Sequence, residues 1–167
     1  VKLRNGIWRN MGGCLAPMNA YLNIIGMETL GLRMERVCNN AFRLAQALEK
    51  LEGVSVNYPL LESSPYHELA EKQLSGKGGA ILTIRAGSKE RAYKLINHLK
   101  YVKIATNIGD VRTLVIHPAS TIYIHSTPEA MEEAGVYDDT IRISVGIEDI
   151  KDLIKDFTEA VESLGEE

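Results

Sequence analysis

The segment Thr140-Ile-Arg-Ile-Ser-Val145, which continues as Gly146-Ile-Glu148, is the clearest indication of the fold class. Its residues alternate strictly, so the apolar side chains lie on one face of a predicted strand and Arg142 lies among the polar residues on the other. A helix is predicted directly afterwards, over residues 148–164. Its apolar residues fall on one stripe: Ile150, Leu153, Ile154, Phe157, Val161 and Leu164. A half-buried strand followed by an amphipathic helix predicts helices packed on one face of a sheet.

Two long helices frame the predicted sheet. The last helix begins with Glu148, Asp149 and Asp152, where the helix dipole favours negative charge. The clearest helix covers Glu28–Leu51, and Gly53 is expected to end it. Its apolar stripe consists of Leu30, Met34, Val37, Ala41, Leu44, Leu48 and Leu51. Core packing is the expected role of this stripe, with a free-standing coiled coil as the alternative.

Shorter elements lie between these helices. Strands are predicted at Val54–Tyr58, Ala80–Arg85, Val102–Thr106 and Thr113–Ile116, and helices at Met18–Ile25, Pro65–Leu74, Ser88–Leu99 and Thr127–Glu133. The basic, glycine-containing segment Val1–Cys14 is predicted to be an irregular arm. The order predicts an α+β fold: a small sheet of about four mostly antiparallel strands with helices on one face, preceded by a long helix.

The composition excludes several classes of protein. The chain has 167 residues, with 19 Lys and Arg against 22 Asp and Glu, so the formal net charge is −3. This balance argues against a dedicated nucleic-acid binder, which usually carries a basic surplus. No apolar run approaches the roughly 20 residues of a membrane-spanning helix. The two cysteines, Cys14 and Cys38, form no disulfide framework or CxxC pair, which favours a reducing, cytoplasmic setting.

Few residues carry chemistry by pattern alone. Gly76-Lys-Gly-Gly79 lacks the spacing of a phosphate-binding loop and is predicted to be a turn. The histidines show no metal-ligand spacing: His67, His98, His117 and His125. His117, before Pro118, is expected to be a hydrogen-bonded loop residue. No nucleophile elbow surrounds the hydroxyl candidates Ser120, Thr121 and Ser126.

Arg142 is the best candidate for a binding residue. An arginine on a rigid strand can present a planar fork of N–H donors to a carboxylate. A structural ion pair or an exposed sheet face would explain the strand pattern equally well.

Several blocks of this sequence resemble the Cys/Met-metabolism family of pyridoxal-phosphate enzymes. The matching blocks are Pro17-Met-Asn-Ala20, Gly26-Met-Glu-Thr-Leu30, Leu32-Arg-Met-Glu-Arg36, Asn40-Ala41, Tyr58-Pro59, His67-Glu-Leu-Ala70 and Arg142-Ile-Ser-Val-Gly-Ile-Glu148. The resemblance runs from Gly12 onward, over about nine-tenths of the chain, and the last of these blocks is the most specific one.

Within that family, the chain resembles the O-acetylhomoserine sulfhydrylase branch. The segment Asn107-Ile-Gly-Asp-Val-Arg-Thr-Leu114, together with His117-Pro-Ala-Ser120, is typical of that branch, and the block that begins at His67 fits it too. Methionine γ-lyase and cystathionine synthase belong to the same family and stay open as alternatives.

The resemblance implies a cofactor, a reaction and two site residues. Pyridoxal phosphate acts as the electron sink, acetate leaves the γ-carbon of O-acetylhomoserine, and sulfide adds to give homocysteine. The family's arginine in the last block grips the α-carboxylate of the substrate, which carries over to Arg142. Asn107 occupies a position beside the same carboxylate, or else caps the turn before Gly109.

The sequence departs from the family at two places. Thr121-Ile-Tyr123 replaces the usual Thr-Thr-His, which affects the choice of sulfide or thiol. The S-x-T-K motif that holds the family's Schiff-base lysine is not found here, and neither are the aspartate for the pyridine nitrogen and the phosphate-binding glycine loop. We therefore expect no catalytic residue in this chain, no covalently held cofactor and no activity of the chain alone.

The expected organisation is a connector arm over residues 1–13 and a C-terminal substrate-binding domain over residues 14–167, with the cofactor domain upstream. The full-length enzyme is expected to form a homodimer or homotetramer and to bind neither nucleic acid nor membrane. Without the resemblance, a small regulatory module that binds an amino acid, or a domain that only packs against a partner, would also fit the pattern.

Overall fold

A computed structural model describes residue 2 and residues 4–165 of the chain. The chain divides into two compact units, one comprising residues up to Leu32 and the other beginning at Arg33. The candidate site and the sheet lie in the second unit.

The first unit is helical. Helical turns cover Arg4–Trp8 and Arg9–Met11, with a non-helical break at Gly6, so the predicted irregular arm is wrong for these residues. Helix α1 spans Pro17–Glu28 and extends three residues beyond the predicted end. Pro17 occupies its first turn, where the fixed φ of proline suits a helix start. None of its residues is buried, and its exposed large apolar residues are Met18, Tyr21, Leu22, Ile24, Ile25 and Met27.

Helix α2 spans Leu30–Leu48 and supplies core residues along only part of its length. The predicted stripe is buried from Val37 to Leu48, whereas Leu30 and Met34 are exposed. Core packing is therefore confirmed for the later turns and wrong for the first ones. Periodicity identifies the apolar side of a helix but does not show how far along it the packing partner extends.

In the described part of the chain, the sheet has five strands: β1 Ser55–Asn57, β2 Ile81–Arg85, β3 Lys103–Ile104, β4 Leu114–Ile116 and β5 Thr140–Ser144. Their order across the sheet is β1-β2-β5-β4-β3. Strand β5 is central and pairs antiparallel with both β2 and β4. The β3–β4 pair is parallel, so the predicted mostly antiparallel sheet is confirmed with one strand more than expected.

Helices cover one face of the sheet, as predicted. Helix α4 spans Lys89–His98 and helix α6 spans Ile150–Glu162, followed by a 3-10 turn to Gly165. Their apolar faces join α2 and the apolar face of the sheet in one core. Its most deeply buried residues include Leu44, Leu48, Leu82, Ile84, Leu95, Ile141, Ile143, Leu153 and Phe157. The α+β prediction is thus correct.

The remaining elements are short. Helix α3 spans His67–Leu74, helix α5 spans Pro128–Glu133, and a 3-10 turn covers Pro118–Ser120. Among the described residues, no helix is long and apolar enough to cross a membrane.

Candidate functional site

Arg142 lies at the middle of the central strand. It is paired with Thr83 of β2 on one side and with Ile116 of β4 on the other. Its neighbours in sequence, Ile141 and Ile143, point into the core and are fully buried. Because side chains alternate along a strand, Arg142 lies on the face opposite the helix layer. A rigid, fully paired strand therefore fixes its Cα position.

The guanidinium of Arg142 is only partly satisfied. Its Nη2 donates to the backbone oxygens of Thr106, at 2.8 Å, and Asn107, at 3.2 Å. Its Nε is buried and has no hydrogen-bond partner among the residues that the structure describes. No acidic side chain within the described part of the chain forms an ion pair with it. Burial also lowers the pKa of this guanidinium below its ordinary value. Since a partly buried charge without a countercharge loses part of its solvation, the site favours an anion.

The loop between β3 and β4 brings the two predicted binding residues together. Asn107 contacts Arg142 through its backbone oxygen, and its own side chain is exposed. Two residues further on, the Gly109 N–H donates to the Ser144 hydroxyl on β5 at 3.3 Å. Gly109 has a φ of +77°, a conformation that favours glycine and that lets the loop turn over the strand. Arg142 and Ser144, from the polar face of β5, thus both hold this loop.

The sequence did not reveal a second set of polar contacts at the end of this loop. Glu148 was expected to favour the start of helix α6, but Asp149 caps that helix by accepting from the Lys151 N–H. The Glu148 carboxylate instead accepts from the N–H and the hydroxyl of Thr113. The side chain of Asn40 on α2 also contacts this turn. In the sequence, the only indication of a special role for Glu148 was its position in the most specific of the blocks that resemble the family.

His117 is a hydrogen-bonded structural residue, as predicted. It is 3% exposed, and its Nε2 lies 2.6 Å from the backbone oxygen of Asp138. Its Nδ1 accepts from the Ser120 N–H and lies 2.9 Å from the Ser120 hydroxyl, so the ring caps the 3-10 turn. The Ser120 hydroxyl is therefore part of a cap.

The segment that departs from the family follows this turn. The Thr121 hydroxyl donates to the His117 backbone oxygen at 2.8 Å, and Ile122 is half exposed. Tyr123 is partly exposed, and its hydroxyl has no hydrogen-bond partner among the residues that the structure covers.

The glycine-rich segment Gly76–Gly79 is a turn that leads into β2, as predicted. The Tyr58 hydroxyl donates to the Gly79 backbone oxygen at 2.9 Å. A Cβ at Gly78 would lie 2.6 Å from the Tyr58 ring, which explains the glycine there. Burial, with a smaller contribution from Cys38, raises the pKa of the Tyr58 phenol well above its ordinary value.

His, Cys, Asp and Glu side chains are the usual protein ligands of metal ions, and a lysine is the residue that binds pyridoxal phosphate covalently. Within residue 2 and residues 4–165, no group of three His, Cys, Asp or Glu side chains is arranged to hold a metal ion. All ten lysines are exposed. The partly buried Arg142 has N–H donors that are free to bind an anion, and no described lysine lies in a buried environment.

Fold and site together define a small α+β domain with an uncompensated arginine on its central strand. The chain belongs to the Cys/Met metabolism PLP-dependent enzyme family, whose sequence pattern matches residues 2–162. The predicted family and its cofactor, pyridoxal phosphate, are thereby confirmed.

Individual relatives agree with the predicted branch. The chain is 46% identical to the homocysteine synthase of Schizosaccharomyces pombe over 92% of its own length and 36% of that protein. It is 42% identical to O-acetyl-L-homoserine sulfhydrylase 1 of Thermus thermophilus over 96% of its own length and 39% of that protein. Enzymes named L-methionine gamma-lyase match at 39–40% identity.

A solved structure shows the same fold. The putative O-acetylhomoserine (thiol)-lyase of Campylobacter jejuni, whose structure includes N'-pyridoxyl-lysine-5'-monophosphate, superposes with a TM-score of 0.90 at 36% identity. The match covers 96% of this chain and 39% of that one. The chain therefore spans less than two fifths of the length of these three proteins.

Proposed function

We propose that this chain is the substrate-anchoring part of a pyridoxal-phosphate enzyme of sulfur amino-acid metabolism. The proposed full-length enzyme is an O-acetylhomoserine sulfhydrylase, which converts O-acetylhomoserine and sulfide into homocysteine and acetate. The names of the relatives support this activity. The observation that carries the role of this chain is the uncompensated guanidinium of Arg142.

Arg142 binds the α-carboxylate of the amino-acid substrate. Its Nη2 is held by two backbone oxygens, which leaves other donors of the fork for the substrate. Removing one partner of such a charge-assisted contact weakens binding by roughly 2–4 kcal/mol. Asn107 lies on the loop that Arg142 holds, and its side chain is exposed. Its proposed role is to bind the same carboxylate.

The rest of the catalytic machinery belongs to the proposed upstream domain. When bound there, pyridoxal phosphate supplies the electron sink for the chemistry at the substrate. The Schiff-base lysine is upstream, so residues 14–167 act as a substrate-binding domain and residues 1–13 as its connector arm. The exposed apolar residues of α1 are consistent with further chain packing on them. The full-length enzyme is a cytoplasmic homodimer or homotetramer.

The first test removes the proposed anchor. In the full-length enzyme, Arg142→Ala should raise the KM for O-acetylhomoserine about a hundredfold, because the carboxylate loses a charge-assisted contact. Arg142→Lys should recover only part of this loss, since lysine lacks the planar fork. Steady-state kinetics at saturating sulfide would measure both effects.

Arg85→Ala is the matched control. Arg85 lies on the same face of the sheet, but it already pairs with Asp139 at 2.8 Å. Its removal should leave the KM for O-acetylhomoserine near the wild-type value. An unchanged KM in Arg142→Ala would refute the anchoring role.

Methionine γ-lyase activity is the second candidate, because enzymes of that name are 39–40% identical to this chain. The two activities differ in their substrates. Homocysteine formation from O-acetylhomoserine and sulfide would support the sulfhydrylase, whereas release of methanethiol from L-methionine with no homocysteine formation would support the lyase.

A further inference from the structure

A polar network around Thr113 closes the loop that holds Arg142. Thr113 is fully buried, and its N–H and hydroxyl donate to the Glu148 carboxylate at 2.6 and 2.9 Å. The Thr113 hydroxyl in turn accepts from the Gly146 N–H at 3.0 Å. The donor of this buried hydroxyl and one of its two acceptor positions are therefore used on one turn, the turn that directly follows β5.

Asn40 fixes this turn against helix α2. Its side-chain Nδ2 donates to the backbone oxygens of Gly146, at 3.0 Å, and Glu148, at 2.9 Å. Asn40 is 1% exposed, so the two bonds form away from competing water. The turn that holds Thr113 is thus itself held by the core helix.

Gly146 allows the loop to approach this closely. A Cβ there would lie 2.6 Å from the backbone carbon of Arg112 and would also meet the Val111 oxygen. Next to it, the Ile147 N–H donates to the Val111 oxygen at 2.9 Å. Any larger residue at position 146 would push this end of the loop away from the strand.

The loop between β3 and β4 is therefore tied to the β5 segment at both ends. At one end, Arg142 and Ser144 bind Thr106, Asn107 and Gly109. At the other end, the Glu148 carboxylate binds Thr113. The backbone oxygens of Thr106 and Asn107, which orient the guanidinium, therefore belong to a loop whose other end is held by the hydrogen bonds of Thr113.

We propose that Glu148 and Thr113 are positioning residues for the substrate-carboxylate site. They keep the segment of residues 106–112 in register with β5, so that its oxygens hold the Arg142 fork in its binding orientation. This inference rests on the proposed role of Arg142 as the carboxylate anchor. Binding groups lose effect when their supporting contacts let them shift by a fraction of an ångström.

The test replaces the buried hydroxyl with a methyl group of the same shape. In the full-length enzyme, Thr113→Val should speed amide hydrogen exchange across residues 106–112. It should also raise the KM for O-acetylhomoserine about tenfold while kcat changes less, because the anchor is misplaced rather than removed. Thr113→Ser keeps the hydroxyl and should restore both properties.

Two further variants complete the design. Glu148→Gln removes one acceptor but keeps an oxygen for the Thr113 N–H, so it carries the same test if Thr113→Val does not fold. Glu159→Gln is the control, since Glu159 is an acidic residue of α6 that pairs with Lys100 at 2.7 Å, outside the network. It should leave both the exchange of the loop and the KM at wild-type values.

The outcomes separate the two proposals. If Arg142→Ala raises the KM but Thr113→Val and Glu148→Gln do not, the positioning role is wrong and the anchoring role stands. If Arg142→Ala leaves the KM unchanged, both fail. A rise in KM with Thr113→Val that Thr113→Ser does not reverse would also contradict the positioning role.

Discussion

Arg142 presents a partly buried guanidinium, without an acidic partner among the described residues, from the middle of the central strand. Strict alternation along β5 placed it on the polar face, and the structure confirms that placement. Alternation left an ion pair and an exposed face open as explanations. The structure shows neither, since the guanidinium is partly buried and has no acidic partner among the described residues. Its contacts with Thr106 and Asn107 depend on how a loop folds, which strand patterning does not determine.

Tyr58 is expected to make the stability of the folded chain depend on pH in alkaline solution. Its phenol is buried and its pKa is raised, so the folded chain holds that proton at pH values where the unfolded chain releases it. Stability from this group is complete below the ordinary tyrosine pKa of about 10 and should decline as the pH rises above that value. Denaturant unfolding of the chain from neutral to alkaline pH would measure the decline.

Tyr58→Phe is the control for this prediction. It removes the ionisable group together with the bond to the Gly79 oxygen, so it should be less stable than the wild type at neutral pH. Its stability should then fall less steeply in alkali. Equal slopes for the two proteins would show that Tyr58 does not cause the alkaline loss.

At the scale of elements, the sequence predicted every helix and strand of the sheet layer within a few residues. The prediction succeeded because the apolar residues of each element recur with a clear period and a clear stop residue follows. An example is Gly53 after helix α2, with its φ of +86°. The parallel pairing of β3 was not predicted. Strand β3 has only two residues, both exposed, and an irregular loop connects it to its partner β4. The sequence pattern therefore does not predict which strand it pairs with.

The start of helix α6 provides a test of element stability. Asp149 caps the helix by accepting from the Lys151 N–H at 2.8 Å, and the buried residues Ile150 and Leu153 follow directly. Asp149→Ala should lower the free energy of unfolding by about 1 kcal/mol, because an N–H of the first turn loses its acceptor.

The amide variant serves as the matched comparison here. Asp149→Asn keeps a capping oxygen and should lose less than the alanine variant. Urea titration of both variants beside the wild-type chain would measure the difference. Equal losses in the two variants would mean that charge at the helix end, rather than the cap, is what Asp149 contributes.

At the scale of the whole molecule, the sequence blocks identified the family and the fold class, and both are confirmed. They did not show the Asn40–Thr113–Glu148 network. Its members lie on α2, directly before β4 and in the turn after β5, and their common location emerges only when these three parts of the chain pack together. The exposed first turns of α2 escaped prediction for a related reason, since burial depends on neighbours that periodicity does not specify.

Arg142 is proposed to recognise the carboxylate of an amino-acid substrate. Inhibition constants would be measured for 2-aminobutanoate and for 1-aminopropane, which lacks the carboxylate, as competitive inhibitors. Both would be tested on the full-length enzyme and on its Arg142→Ala variant, so that the charge is removed from each partner in turn. The wild type should bind the carboxylate-bearing compound about a hundredfold more tightly, and the variant should discriminate by less than about threefold. Discrimination of about a hundredfold that survives in Arg142→Ala would contradict the claim.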